Sequence, residues 1–313
     1  MSTWLEQLSS LCGVDLPSAS ELLRRAPRPP GEQRATQVLQ TADSWWALTL
    51  SRDADRELVP ALIQQDHVGS AQLDAGVLWE HVAAWSRSVS SAEALERAIL
   101  LGLAASTLPG EVAALAPIAV VPAQRRAPTV LDLSALWAGP LAGHLLNLAG
   151  AKVLKVESEQ RPDGLRQGDP ALFERLNSGK ESIRLPLSRM AGRGQLLELI
   201  EAADIVLESS RPRALAQLGV DAPALLQAHP ELLWVSITAY GRQAAPERIG
   251  FGDDIAFGAG LVDVSTTGPR IRGDALADPL TGTYAALAAY SRWLADDAGM
   301  LDISMHQVAH AAA

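Results

Sequence analysis

Residues 130–157 read VLDLSALWAGPLAGHLLNLAGAKVLKVE: an apolar run, a loop, a helix-compatible stretch and a second apolar run. Val130 to Ser134 reads as a buried parallel strand, because such strands are covered on both faces and lose the apolar–polar alternation. Leu141 to Ala149 is helical, with Pro140 in the first turn, where no N–H is required. Gly150 suits the left-handed residue that closes a helix, and Ala151 to Glu157 is the next strand. The unit is βαβ, with parallel strands and a right-handed crossover. Ligands of such sheets bind beyond the carboxyl ends of the strands, which directs attention to the Ser134–Pro140 loop. Gly139 and Gly143 do not make the GxGxxG dinucleotide pattern.

The same alternation continues downstream. Strands are expected at Ser182 to Leu187, Asp204 to Glu208, Leu232 to Ile237 and Leu301 to Met305. Helices are expected at Ala191 to Ala202, Pro223 to Ala228 and Ala285 to Ala295. Alternating strands and helices make a doubly wound α/β sheet. A polar loop spans Glu159 to Pro170, and Gly250 to Ile255 reads as loop with one carboxylate capping.

Upstream, residues 1 to about 35 read as helical and then irregular. Ser18 or Ser20 caps a helix through Leu23, and Pro27, Pro29 and Pro30 end it. Residues 42–110 form a compact unit. It holds a strand at Ala42 to Leu50 and helices at Asp53 to Gln65, Leu78 to Ser86 and Ala92 to Leu101. Ser90 or Ser91 is an N-cap, with Glu93 placed for a capping box. Gly102 to Pro109 breaks the pattern.

The chain has 313 residues, 48% hydrophobic, which suffices for one large or two ordinary cores. A net charge of −10 gives no footprint for nucleic acid. Cys12 is the sole cysteine, so neither an intrachain disulfide nor a cysteine-rich metal site forms, and a reducing cytoplasm fits. The start, MSTWLEQLSS, has no basic leader, and no apolar run reaches the roughly 18 residues of a spanning helix. A soluble chain with no membrane partner is expected. His67, His81, His144, His229, His306 and His310 form no HxxxH–carboxylate motif, and no metal site is expected. No GxSxG, P-loop or kinase signature occurs.

The 130–157 stretch, with VLDLS, AGP, LAGA and KVE in that order, resembles the opening of the class III CoA-transferases. This CaiB/BaiF-type family includes formyl-CoA transferase and α-methylacyl-CoA racemase. The Glu159–Pro170 loop, Asn177 to Lys180 and Leu301-Asp302-Ile303-Ser304 fall where the family carries GD..R, N.gK.s and vDvS. Residues 42–110 are similar to the family's small domain, which ordinarily follows the nucleotide-fold segment. The resemblance therefore implies a permuted order, to which the chain's end at Ala313 is also referred. Its parts are an N-terminal helical segment (1–41), a small α+β domain (42–115), a linker (116–128) with Pro117, Pro122, Gln124-Arg125-Arg126 and Pro128, and a Rossmann-like large domain (129–313).

The resemblance also implies roles. Asp278, in Leu276-Ala277-Asp278-Pro279-Leu280-Thr281-Gly282, matches the turn that carries the family's catalytic carboxylate; the same position also suits a helix cap. A carboxylate attacks the thioester, giving a mixed anhydride and CoA thiolate, and the exchange runs through that covalent relay. A helix N-terminus favours the anion, and Thr281 and Gly282 are small enough for backbone N–H groups to approach an oxyanion. Coenzyme A, as substrate and not as resident cofactor, is assigned to Leu136, Trp137, Ala138, Arg166, Leu185, Ser209 and Ser210. Ser209-Ser210 replaces a frequent Asn–Phe pair, and Gln217 a frequent basic residue, with Arg211 or Arg213 nearby. Asp253 stands where the racemase branch has histidine. The implied activity is acyl-CoA:carboxylate CoA transfer by a homodimer; racemase and non-catalytic CoA-binding readings stand beside it.

Overall fold

The computed structural model describes residues 1–22, 24, 34–65, 75–110, 112–119 and 126–313. The strands are β1 (Thr36–Gln40), β2 (Trp45–Thr49), β3 (Ala104–Thr107), β4 (Thr129–Asp132), β5 (Lys152–Ser158), β6 (Glu181–Leu185), β7 (Ile205–Glu208), β8 (Leu233–Thr238), β9 (Val262–Ser265), β10 (Gly268–Ile271) and β11 (Gly299–Ser304). Two compact units form, each from separated segments. One contains Met1–Pro27, Leu115–Pro246 and Asp278–Val308; the other contains Arg28–Ala114, Glu247–Ala277 and Ala309–Ala313. These units are drawn differently from the sequence boundaries, since residues 247–277 group with the smaller unit.

The larger unit is a six-stranded parallel sheet in the order β11-β8-β7-β4-β5-β6. The chain runs outward from β4 to β6, then returns to the other side of β4 with β7. The order thus reverses between β4 and β7, a topological switch point whose carboxyl ends open onto a crevice. All four residues of β7 are buried, as a central parallel strand requires. One core layer gathers Leu131, Val156, Leu185, Leu196, Val206 and Trp234. The Ala138–Leu148 helix crosses from β4 to β5, with Pro140 in its first turn and Gly150 after it at φ +99°.

The smaller unit holds the antiparallel sheet β1-β2-β3 and the hairpin β9–β10. Its core is built on Trp46, whose indole N–H donates to the Ser86 hydroxyl at 3.1 Å and whose ring meets Trp85 edge-on. Ser90 caps the Ser91–Leu100 helix by accepting the Glu93 N–H.

Several elements differ from the sequence reading. The strand expected from Ala42 starts at Trp45, because residues 41–44 turn: Thr41 accepts the Ser44 N–H at 2.9 Å, and Asp43 accepts that of Ser91 at 2.8 Å. Its partners are β1, inside the 1–41 segment expected as helical, and β3, inside the stretch read as breaking the pattern. The helix expected over Asp53 to Gln65 is two helices, Asp53–Glu57 and Val59–Ile63, divided just before Pro60. Gly250 to Ile255 was expected as loop; instead Gly252–Gly258 is a helix, and Asp254 accepts the Phe251 N–H at its start. The polar loop contains the Leu165–Gly168 helix, and Pro170–Asn177 follows, capped by Asp169. The helix expected from Ala285 begins at Ala277. At the N-terminus Ser18 precedes a helix over Ala19–Leu22. Leu23, the prolines at 27, 29 and 30, His67, and the linker residues Pro122, Gln124 and Arg125 lie outside the described residues.

Candidate functional site

The site is built around the carboxyl end of β4. Asp132, fully buried, ends that strand and is met by Lys180, which donates to it at 2.7 Å, to the Pro140 carbonyl at 2.8 Å and to Asn177 at 3.1 Å. Burial pushes the Asp132 carboxyl up, but the ammonium groups of Lys180 and Lys155 outweigh it and hold the acid below its ordinary range. The other Asp132 oxygen accepts the Ser134 N–H at 3.0 Å and the Ser134 hydroxyl. Gly139 is glycine because a Cβ there would stand 2.2 Å from Ser134 Cβ.

Lys155 enters from β5. Its ammonium is buried, donates to the Ser134 carbonyl at 2.9 Å and lies 3.5 Å from Asp163. Asp163 accepts the Leu136 N–H with both oxygens, at 3.1 and 3.2 Å. Leu136 has φ +67°, a left-handed conformation, and its side chain is exposed. Ser209, after β7, accepts the Ala135 N–H at 3.1 Å.

A cleft of about 160 Å³ opens beyond the ends of β4, β5 and β7, at the switch point. Leu187, Leu196, Leu215 and Leu218 supply apolar lining, while Ser134, Ser158, Arg161 and Ser210 supply polar groups. Of the residues proposed from sequence to hold CoA, Leu136 belongs to the loop after β4, Ser209 holds that loop from the end of β7, and Ser210 lines the cleft. Trp137 and Ala138 are adjacent but buried, at the start of the Ala138–Leu148 helix.

Two others sit differently from the expectation. Leu185 is packed in the core, and the cleft presents Leu187 instead. Arg166 is tied to Glu157 by two hydrogen bonds, at 3.0 and 2.5 Å, and stacks 4.1 Å over Phe173. The Glu157 pairing raises the guanidinium's already high pKa, and its Nε and one terminal nitrogen face that carboxylate. The arginine on the cleft lining is the exposed Arg161.

Asp278 is half-buried in the first turn of the Ala277–Leu294 helix, where the macrodipole favours an anion. One turn on, a Cβ at Gly282 would stand 2.5 Å from the Ala138 carbonyl and 2.9 Å from Leu141 Cβ. That contact sets the Asp278 turn beside the amino end of the Ala138–Leu148 helix. Thr281 and Gly282 lie past the N–H groups that a helix start leaves unpaired, so their amides are not available to an oxyanion. Gly282 is small for packing.

Sequence reasoning missed Lys155, Asp163 and Arg161. A signal existed for the first: a lysine between Leu154 and Val156 in an otherwise apolar strand. Among the described residues no cluster of His, Cys, Asp or Glu is arranged to hold a metal, and no helix is long and apolar enough to cross a membrane. In the smaller unit, Asp254 is fully buried, accepts the Thr49 hydroxyl at 2.9 Å, and is raised by burial to about 7.

Residues 128–312 match the family profile described as CoA-transferase family III. An acyl-CoA transferase of Fusarium pseudograminearum is 32% identical over 174 residues, 50% of this chain and 38% of its own. A succinate–glutarate CoA-transferase of Agrobacterium fabrum is 32% identical over 177 residues, 51% of this chain and 44% of its own. The chain thus spans less than half the length of either relative. A crystal structure of a CaiB/BaiF family protein from Brucella suis superposes with a TM-score of 0.54 at 29% identity, covering 58% of this chain and 53% of that one.

Proposed function

Because the chain belongs to CoA-transferase family III, we propose that it moves coenzyme A from an acyl-CoA to a carboxylic acid, with Asp278 as nucleophile. The observation that carries this reading is the pairing of two features in one unit. A side-chain-clamped loop and cleft lie at the switch point of the sheet, and Asp278 stands in the first turn of a helix whose Gly282 packs on the amino end of the Ala138–Leu148 helix that follows the loop. In the proposed sequence an Asp278 oxygen attacks the thioester carbonyl, the C–S bond breaks and CoA leaves as thiolate. The thiolate then attacks the Asp278 acyl carbon, forming an aspartyl-CoA thioester and releasing the first acid. The acceptor carboxylate attacks that thioester, giving a second anhydride and free thiolate. The thiolate takes the acceptor's acyl group and frees Asp278.

The cleft supplies the CoA contacts. Its leucines offer an apolar floor and Arg161 a cation for phosphate. Ser209 contributes indirectly, through the Ala135 N–H. The test is to incubate the protein with succinyl-, acetyl- and longer acyl-CoAs and a panel of carboxylic acids, and to look for new acyl-CoA by mass spectrometry. Transfer lost in Asp278→Ala is expected. CoA binding with no transfer to any acid would favour a non-catalytic homologue, and solvent deuterium entering Cα without transfer would favour a racemase.

The family resemblance also supports a homodimer and the permuted order, with the small domain at 42–115, the linker at 116–128 and the large domain at 129–313, and the lone Cys12 supports a cytoplasmic location. Light scattering tests the homodimer and cell fractionation the location. CoA binding by a chain rejoined as 128–313 followed by 1–127 tests the permuted order.

A further inference from the structure

In the loop after β4, Ser134, Ala135 and Leu136 each have a main-chain group held by a side chain, and four side chains do the holding. Asp132 holds the Ser134 N–H, Lys155 the Ser134 carbonyl, Ser209 the Ala135 N–H and Asp163 the Leu136 N–H. The last is the most demanding. A leucine at φ +67° is in a region that a Cβ disfavours, and such conformations persist only where the surroundings over-determine them. The Leu136 side chain is 40% exposed, so its own burial does not hold it there.

Asp163 is fixed from three further sides. Its N–H donates to Glu157 at 2.9 Å, its carboxylate accepts the Leu165 N–H at 3.0 Å, and the Lys155 ammonium stands 3.5 Å away, both side chains being 1% exposed. Asp163 also lines the cleft, as does Ala135. A buried lysine–aspartate pair is costly to assemble. Here it fixes the carbonyl of Ser134 and the N–H of Leu136, the two ends of the loop.

We propose that Asp163, held by Lys155, is a positioning residue that keeps Leu136 in its left-handed conformation and thereby shapes the loop that receives coenzyme A. This rests on the CoA reading of the cleft. It differs from that reading in assigning binding strength to a side chain that acts through the backbone.

The test measures CoA dissociation constants by calorimetry for wild type, Asp163→Ala, Leu136→Gly and the double variant. Amide hydrogen exchange of residues 134–138 is followed on the same proteins without ligand. Glycine adopts positive φ without penalty, so losing Asp163 costs less when position 136 carries glycine. Asp163→Ala is expected to weaken CoA about tenfold in the native background, and about threefold or less in the Leu136→Gly background. Equal losses in both backgrounds, or no loss in the first, overturn the proposal. Should Asp163→Ala not fold, Asp163→Asn carries the same comparison, and absence of coupling to Leu136→Gly again overturns it. If the wild type binds no CoA, the cleft reading fails and the binding half falls with it. Exchange then decides the geometric half: faster exchange at 134–138 with β8 and β11 unchanged upholds it, and unchanged exchange refutes it.

Discussion

Replacing Lys180 by methionine tests the electrostatic foundation of the site. Lys180 and Asp132 are 1% and 0% exposed as side chains and 2.7 Å apart, and Lys180 also satisfies the Pro140 carbonyl. Methionine fills similar volume but leaves a buried carboxylate and a carbonyl short of a donor. Breaking one partner of a buried pair costs about 3–5 kcal/mol. The pH dependence should also change sign. In the native protein the Asp132 pKa is depressed: burial raises it, and Lys180 and then Lys155 outweigh burial. Its contribution is therefore present above the unfolded carboxyl value and lost as pH falls through the folded one. Without Lys180, burial dominates and the folded pKa rises above the unfolded one, so the variant loses stability as pH rises from the acid range. Native-state hydrogen exchange at the Val130, Leu131 and Val206 amides reads the larger unit on its own. A loss below about 1 kcal/mol, or an unchanged pH profile, would refute the argument.

Other predictions concern single contacts. Arg161→Ala should weaken CoA binding about tenfold and flatten its salt dependence, as loss of one charge-assisted phosphate bond requires. Calorimetry at two salt concentrations checks both. Gly282→Ala places a Cβ 2.5 Å from the Ala138 carbonyl and should destabilise the larger unit by about 1–3 kcal/mol, read by the same exchange experiment. Asp254, raised by burial to about 7, penalises the ionised form. The smaller unit should therefore lose stability as pH rises from about 4 to about 7 and then level off. In Asp254→Asn that slope should vanish in urea melts followed by exchange at β2.

The parallel sheet was legible because β4, β5, β7, β8 and β11 are apolar runs bounded by turn residues, and Pro140 and Gly150 punctuate the first crossover. The strands β1 and β3 were not. Thr36–Gln40 is half polar and Ala104–Thr107 is small and weakly β-forming, so only pairing with β2 makes them strands. The glycine-bounded Gly252–Gly258 helix hides in the same way: local propensity opposes it, and burial of Ile255 and Phe257 decides.

Within the site, position after β4 was enough to point to Leu136 and its neighbours. Which arginine remains available was not legible. Arg161 and Arg166 share one loop, and only the placement of Glu157 shows that Arg166 is paired. The roles of Lys155 and Asp163 depend on partners up to 27 positions away in the chain, a distance that pattern reading does not span.

The central claim is that Asp278 forms a covalent link with the acyl group or with CoA. Intact-mass spectrometry of the protein mixed with a panel of acyl-CoAs, with and without hydroxylamine, tests it directly, with Asp278→Ala in parallel. The account predicts an acyl or CoA adduct that hydroxylamine removes and that the variant never forms. Turnover of an acyl-CoA by the wild type with no adduct, or the same adduct on Asp278→Ala, would contradict it.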